Sequence, residues 1–282
     1  MFEIIEKKIL KPSVTLIKIK APFIVKHAKP GQFVILRVEE EGERIPMTIT
    51  EANHDDETIT IIFQVVGATT TKLNQLEVGD SLHDFVGPLG KATHIEGLKK
   101  VAVVGGGVGC AIAYPVAKAL YDQKTIVHSI IGFRSTDLIF LEDEFKACSD
   151  KTIVMTDDGS NGNKGFVTDA LKKLLESGET YDEVIAIGPL PMMKFVSLTT
   201  KPYGIKTIVS MNPVMIDGTG MCGGCRITVG GQMKFACVDG PEFDGHLVDF
   251  DEAIRRNSMY KDFEIKQYEH ACNLLKEQDD AK

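Results

Sequence analysis

Residues 99–110, KKVAVVGGGVGC, decide how the chain must be read. The apolar run Val101–Val104 meets Gly105-Gly106-Gly107-Val108-Gly109, and CAIAYPVAKALYDQ (110–123) then has the apolar spacing of a helix. A buried strand, a glycine turn and a helix form the opening unit of a parallel α/β sheet. Working outward, TIVHSIIGF (125–133), KTIVMTD (151–157), EVIAIGP (183–189) and KTIVS (206–210) are further strands. FLEDEFKAC (140–148), VTDALKKLLESG (167–178) and LPMMKFVSLTT (190–200) are the helices between them. This alternation predicts a parallel sheet covered by helices on both faces over residues 97–211.

Such sheets bind ligands at the C-terminal ends of their strands. Glycine in the first turn lets a backbone approach a pyrophosphate, and the helix N-terminus favours its charge. Gly106, Gly107, Val108 and Gly109 are therefore candidate nucleotide-binding residues, with Gly188 and Pro189 as a second turn on the same edge. The spacing is not G-x-G-x-x-G, Pro115 interrupts the helix, and a tight structural turn would use the same glycines. Asp157 ends one strand, where a carboxylate takes ribose hydroxyls and repels a 2′-phosphate, which favours NAD(H). Its neighbour Asp158 could do the same. Arg134, ending another strand, argues the other way, and the two aspartates also suit turns.

Residues 1–96 have a different period. VTLIKIKA (14–21), QFVILRV (32–38), IPMTIT (45–50) and TITIIFQVV (58–66) are short β-branched runs separated by glycine and proline. A short helix fits TTTKLNQL (69–76), with Thr69 or Thr70 as its cap. So many short strands in so little chain predict a small closed antiparallel barrel.

Beyond residue 211 the periodicity stops. Residues 212–250 hold eight glycines and three cysteines, too little apolar surface for a core. Cys222 and Cys225 supply two thiolates in a tight turn, and Cys237 lies across a hairpin with Gly230-Gly231 at its tip. Plant-type [2Fe–2S] loops space their first ligands C-x4-C-x2-C, and counting back from Cys222 puts Asp217 in the first position. A carboxylate is a harder donor than thiolate but ligates iron. CxxC also suits a structural zinc, although zinc ribbons pair two such knuckles. Cys272 is an alternative fourth ligand, whereas Cys110 and Cys148 have the settings of buried hydrophobes. Residues 251–282 are a helical tail.

Composition narrows the function. The 282 residues are 43% hydrophobic and 26% charged, with a net charge of -8 and no basic block, which argues against nucleic acid or an anionic membrane as partner. No apolar run nears the roughly 20 residues that span a bilayer. MFEIIEKKILKPSV lacks a signal-peptide core, so a cytoplasmic protein is expected.

The order of parts resembles the ferredoxin-reductase superfamily, over all but the C-terminal tail. The strings IPMTI (45–49), GPLG (87–90), TDDGSNGNKGFVTD (156–169) and CGGCR (222–226) carry the likeness. The resemblance implies an FAD-binding barrel, an NAD-binding α/β domain and a C-terminal [2Fe–2S] loop. It also implies flavin contacts on an R-x-x-[ST]-like strand: Arg44 on the pyrophosphate, then Pro46, Met47 and Thr48, although Arg44 stands four residues before Thr48 instead of three. Ile62, Phe63, Gln64, Gly67, Thr69 and Thr70 would hold the FAD phosphates through amides and hydroxyls, whereas Ile62 and Phe63 alone suit core packing equally.

Within the superfamily the loop is similar to that of dihydroorotate dehydrogenase electron-transfer subunits, which have four cysteines. The aspartate resembles the small subunits of NADH-dependent ferredoxin:NADP oxidoreductases, also described as sulfide dehydrogenases. That likeness implies a large partner subunit with its own FAD and [4Fe–4S] clusters. There, electrons from NADPH would be bifurcated between ferredoxin and this chain's cluster, FAD and NAD. A nicotinamide passes two electrons and a cluster one, so a flavin stands between them. The step needs no acid or base, and no catalytic residue is assigned; Thr48 is the candidate donor to flavin N5. A subunit feeding a dihydroorotate dehydrogenase, or a nucleotide-binding regulator with a structural zinc, are the competing functions.

Overall fold

The computed structural model describes the backbone of residues 2–280 and the side chains of residues 2–270. The N-terminal strands are β1 (Phe2–Lys11), β2 (Val14–Lys20), β3 (Phe33–Arg37), β4 (Ile45–Thr48), β5 (Glu51–Asn53), β6 (Thr58–Gln64), β7 (Ser81–Leu82) and β8 (Asp84–Leu89). Helix α1 (Pro22–His27) and helix α2 (Ala68–Gln75) are inserted among them. Hydrogen bonds order these strands as β5-β6-β2-β1-β7 and β4-β3-β8. Two bent strands join the halves. At Ile49–Thr50 the chain leaves β4 for β5, with the Ile49 N–H donating to Gln32 and the Thr50 N–H to Thr60. At His83 it passes from β7 to β8, and the His83 N–H donates to Arg37. The result is a six-stranded antiparallel ring, β1-β2-β6-β5/β4-β3-β8/β7, closed around Ile17, Ile19, Val34, Ile61, Phe63 and Phe85. Closure of this kind covers sheet edges, apart from the end of β6 beyond Thr60.

Strand β1 has no counterpart in the sequence reading. FEIIEKKILK is half charged, and Ile4 is its one fully buried side chain. Its pairing with β2, Ile4↔Ile19 through Lys11↔Val14, makes it a strand. The cap of α2 also differs. Gly67 is the N-cap, and Thr70 sits inside, its Oγ1 accepting from the N–H groups of Val66 and Gly67.

The α/β part contains β9 (Lys100–Gly106), α3 (Gly109–Asp122), β10 (Ile126–Phe133), α4 (Glu142–Ala147), β11 (Lys151–Thr156), α5 (Val167–Glu176), β12 (Glu183–Ile187), α6 (Leu190–Thr200) and β13 (Lys206–Ser210). The chain continues through β14 (Arg226–Val229), β15 (Gln232–Phe235), α7 (Ala236–Asp239), β16 (Glu242–Asp244), α8 (Phe250–Asn257) and α9 (Lys261–Asp280). The sheet order is β11-β10-β9-β12-β13-β16, parallel except for β16. Helices α3 and α4 cover one face, and α5, α6 and α8 the other. After β9 the chain moves to β10 on one side, and it later returns to β12 on the other. The crevice between the ends of β9 and β12 is the topological switch point.

The glycine-rich segment is ordered by its neighbours. Met215, Cys225, Ile227 and Cys237 share a core with Phe33 and Ile35 of the barrel and with Ala186 and Val209 of the sheet. β14 and β15 form the hairpin, with Gly230 and Gly231 at φ 58° and 74°, the two positive values a type I′ turn requires. The segment does not stand apart from the α/β part, because Glu242–Asp244 extends the sheet alongside β13. Among the described residues no helix is long and apolar enough to cross a membrane.

Candidate functional site

The two glycine turns meet at the switch point. Gly105 is in register with Ile187, so Gly105–Gly109 and Gly188-Pro189 emerge side by side. A Cβ on Gly109 would lie 2.6 Å from the Ile187 carbonyl oxygen and 2.7 Å from Gly188 Cα. Gly109 and Gly188 are thus glycines because two backbones touch. Gly107 differs: its φ is +56°, and a Cβ there would meet nothing within 4 Å. It faces open space at the start of α3, whose N-cap, Val108, makes no side-chain hydrogen bond. Gly107 is therefore the glycine placed to admit a phosphate, beside helix amides that favour its charge. Asp157 is exposed at the end of β11. Asp158 is taken up locally: its Oδ1 accepts from the Ser160 hydroxyl and N–H, which hold its carboxyl below the usual range.

On the barrel, strand alternation sorts the flavin candidates. Met47 pairs with Val34 and turns toward the barrel core. Pro46 and Thr48 pair with Ile35 and Phe33, so they share the outer face, the one on which the cluster segment and the sheet pack. Phe63 points into the barrel, whereas Ile62 points out and is buried against the core around α3. The side chains of Phe63 and Ile62 are buried, whereas Met47 is partly exposed. The pairing of β5 with β6 ends at Thr60. Ile62 and Gln64 direct their N–H groups the same way as Thr60, toward the side that β5 has left.

Three candidate side chains have protein partners. The Thr70 hydroxyl is occupied in capping α2, and Thr69 Oγ1 donates to Glu43. Arg44 is also engaged with the protein. Its Nε donates to the Ile216 carbonyl at 2.9 Å and its Nη1 to Asp84 at 3.1 Å. The sequence held no signal for this contact, since its partners are 172 residues apart.

The cluster candidates converge. Cys225 and Cys237 are each 2% exposed, with their sulfurs 3.2 Å apart, too far for the ~2.05 Å of a disulfide. Burial, together with the neighbouring Cys225 sulfur, pushes the Cys237 thiol up to about 12. Cys222 is exposed, and its thiol is held below the usual range by backbone N–H groups, first Gly224 and then Asp217. Asp217 Oδ2 accepts from Thr219 N–H, Thr219 Oγ1 and Met221 N–H at 2.8, 2.7 and 3.1 Å. These bonds, the Thr219 hydroxyl foremost, hold its carboxyl below the usual range. The three bonds to Oδ2 leave Oδ1 to serve as a ligand.

This donor set fits a binuclear cluster. The sulfurs of Cys225 and Cys237 stand together, and Cys222 and Asp217 share the adjoining loop. Cys110 and Cys148 are buried in the α3 core, with burial raising both thiols. Cys272 lies outside the residues whose side chains are described.

Comparison with known proteins agrees with this layout. Residues 103–198 match the oxidoreductase NAD-binding domain. Residues 212–249 match the iron–sulfur cluster binding domain of dihydroorotate dehydrogenase B. The chain is 49% identical to an uncharacterized protein in the adh 3′ region of Clostridium beijerinckii, covering 94% of this chain and 93% of that one. It is 46% identical to a Thermotoga maritima homolog of the dihydroorotate dehydrogenase B (NAD(+)) electron transfer subunit, covering 95% and 94%. A solved structure of NADH-dependent reduced ferredoxin-NADP oxidoreductase, studied for flavin-based electron bifurcation, superposes with a TM-score of 0.90 at 45% identity, covering 96% and 97%.

Proposed function

The chain belongs to the family of dihydroorotate dehydrogenase B electron-transfer subunits and their homologues, oxidoreductases of ferredoxin-reductase-like fold, and on that premise we propose its place in a complex. It serves as the small subunit of a bifurcating NADH-dependent ferredoxin:NADP oxidoreductase, with a large flavin and [4Fe–4S] subunit as partner. One observation carries this reading. Asp217 stands at the spacing of a first ligand before Cys222, Cys225 and Cys237, and its carboxylate Oδ2 accepts three hydrogen bonds.

When bound, NAD(H) supplies electron pairs, the cluster single electrons, and FAD exchanges between the two. The chain's own residues set the geometry. Gly107 and the first amides of α3 would seat the dinucleotide pyrophosphate, with Asp157 taking a ribose. Thr48 and Pro46 would face the flavin from the barrel, and the β6 amides of Ile62 and Gln64 would take its phosphates with Gly67. Asp217, Cys222, Cys225 and Cys237 would hold the cluster against the barrel wall. Apolar side chains ring the loop at the surface: Met221 is 87% exposed, and Val214, Ile216 and Val238 are exposed beside it. Large exposed apolar residues at a redox loop suit burial under a partner subunit.

The test is purification together with the neighbouring subunit, followed by visible and electron paramagnetic resonance spectra. Flavin and [2Fe–2S] signals with a flavin/[4Fe–4S] partner are expected. A dihydroorotate dehydrogenase as the co-purifying partner would move the chain to the second reading, which its Thermotoga maritima relative's name favours. A colourless, zinc-containing protein would refute both.

A further inference from the structure

We propose that Arg44 is a positioning residue for the cluster loop, holding the Ile216–Asp217 peptide at the first ligand position. This rests on the cluster reading above. Arg44 lies one residue before β4, the strand that carries Thr48. Its guanidinium is fixed at two ends: Nε on the Ile216 carbonyl at 2.9 Å, and Nη1 on Asp84 Oδ2 at 3.1 Å. Asp84 is itself held by Arg37 Nη2 at 2.8 Å. A planar, permanently charged fork suits such two-point contact.

The Ile216 carbonyl and the Asp217 N–H belong to one planar peptide unit. The Asp217 carboxylate on that unit is itself fixed, its Oδ2 accepting from the Thr219 and Met221 N–H groups. The contact sits beside an apolar one. At Gly218, with φ +84°, a Cβ would lie 2.7 Å from Ile35 Cδ1 and 2.9 Å from Leu89 Cδ1, so the loop lies flat on the barrel there. Arg44 is the polar pin of that seam, 29% exposed and hence partly shielded from solvent screening. Cluster potentials follow net charge, so a cation held against the loop stabilises the reduced cluster. The same side chain therefore ties the flavin-facing strand to the cluster ligands.

The experiment is a mediated reductive titration of the purified, cofactor-loaded chain, with the cluster signal followed by electron paramagnetic resonance and the flavin-to-protein ratio measured in parallel. Arg44→Gln is expected to move the cluster midpoint to a more negative potential at an unchanged flavin ratio. Arg44→Lys should move it less, since the charge remains. Asp84→Asn should move it the opposite way, because Arg44 then acts with less compensation. Opposite shifts from two neighbours are not produced by loosening of the loop, and the Lys and Asn variants decide the matter if Arg44→Gln does not fold. An unmoved midpoint in the Arg44 variants overturns the proposal. So does loss of flavin with the midpoint unmoved, which would put Arg44 on the flavin phosphates. A wild-type chain with no cluster signal overturns the cluster reading itself.

Discussion

Gly107 and Gly109 belong to one turn yet answer to different demands, and alanine at each separates them. At Gly109 the added Cβ would meet the Ile187 oxygen at 2.6 Å and Gly188 Cα at 2.7 Å. Against an ordinary contact near ~3.5 Å, that is an overlap of roughly 0.8 Å with backbone that cannot rotate away. Overpacking of this kind costs about 1–3 kcal/mol, which for a chain of this size lowers the melting temperature by roughly 2–10 °C. At Gly107 the Cβ meets nothing, and the cost is the left-handed φ of +56°, on the order of 1 kcal/mol. Its Cβ would occupy the space offered to the pyrophosphate, so NADH affinity should fall about tenfold or more, equivalent to ~1.4 kcal/mol. The assays are thermal unfolding without nucleotide and the NADH dependence of flavin reduction in stopped flow. Gly109→Ala should lose mainly stability and Gly107→Ala mainly affinity. Normal NADH affinity in Gly107→Ala, or an unchanged melting temperature in Gly109→Ala, would refute the division.

Asp217→Ala should reduce cluster occupancy and alter its visible spectrum, and Asp217→Cys should keep the cluster with a displaced midpoint; an Ala variant spectrally identical to wild type removes Asp217 from the ligand set. Thr48→Ala should slow flavin reduction by NADH in stopped flow, and an unchanged rate ends the assignment of its hydroxyl to flavin N5. Glu242 is half-buried where the barrel, the linker and β16 meet, with Thr93 Oγ1 donating to it at 2.6 Å, and desolvation pushes its pKa up to about 7 from the usual 4.5. The folded state therefore keeps a proton that the unfolded chain has lost, and stability falls as pH rises from about 4.5 to 7, by on the order of 3 kcal/mol. Glu242→Gln should accordingly melt above wild type at pH 8 and level with it at pH 5, whereas parallel pH profiles would contradict the sign.

Much of the architecture is local and therefore legible in the sequence. Val101–Val104 running into Gly105–Gly109, and Gly230-Gly231 between two short strands, report backbone preferences that hold in almost any context. The Asp217, Cys222, Cys225 and Cys237 spacing is similarly local, apart from the reach to Cys237. What the sequence could not decide is where side chains go once strands pair. β1 is too charged to announce itself and exists through its ladder with β2. The in-or-out choice between Ile62 and Phe63 follows from barrel closure. Thr70 became a capping residue because the N–H groups of Val66 and Gly67 lie within reach. Arg44 is the clearest case: its charge is plain in the sequence, but its target 172 residues away exists only once the cluster segment folds onto the barrel. Periodicity and turn chemistry act over a few residues, and direct contact between distant segments is decided by packing alone.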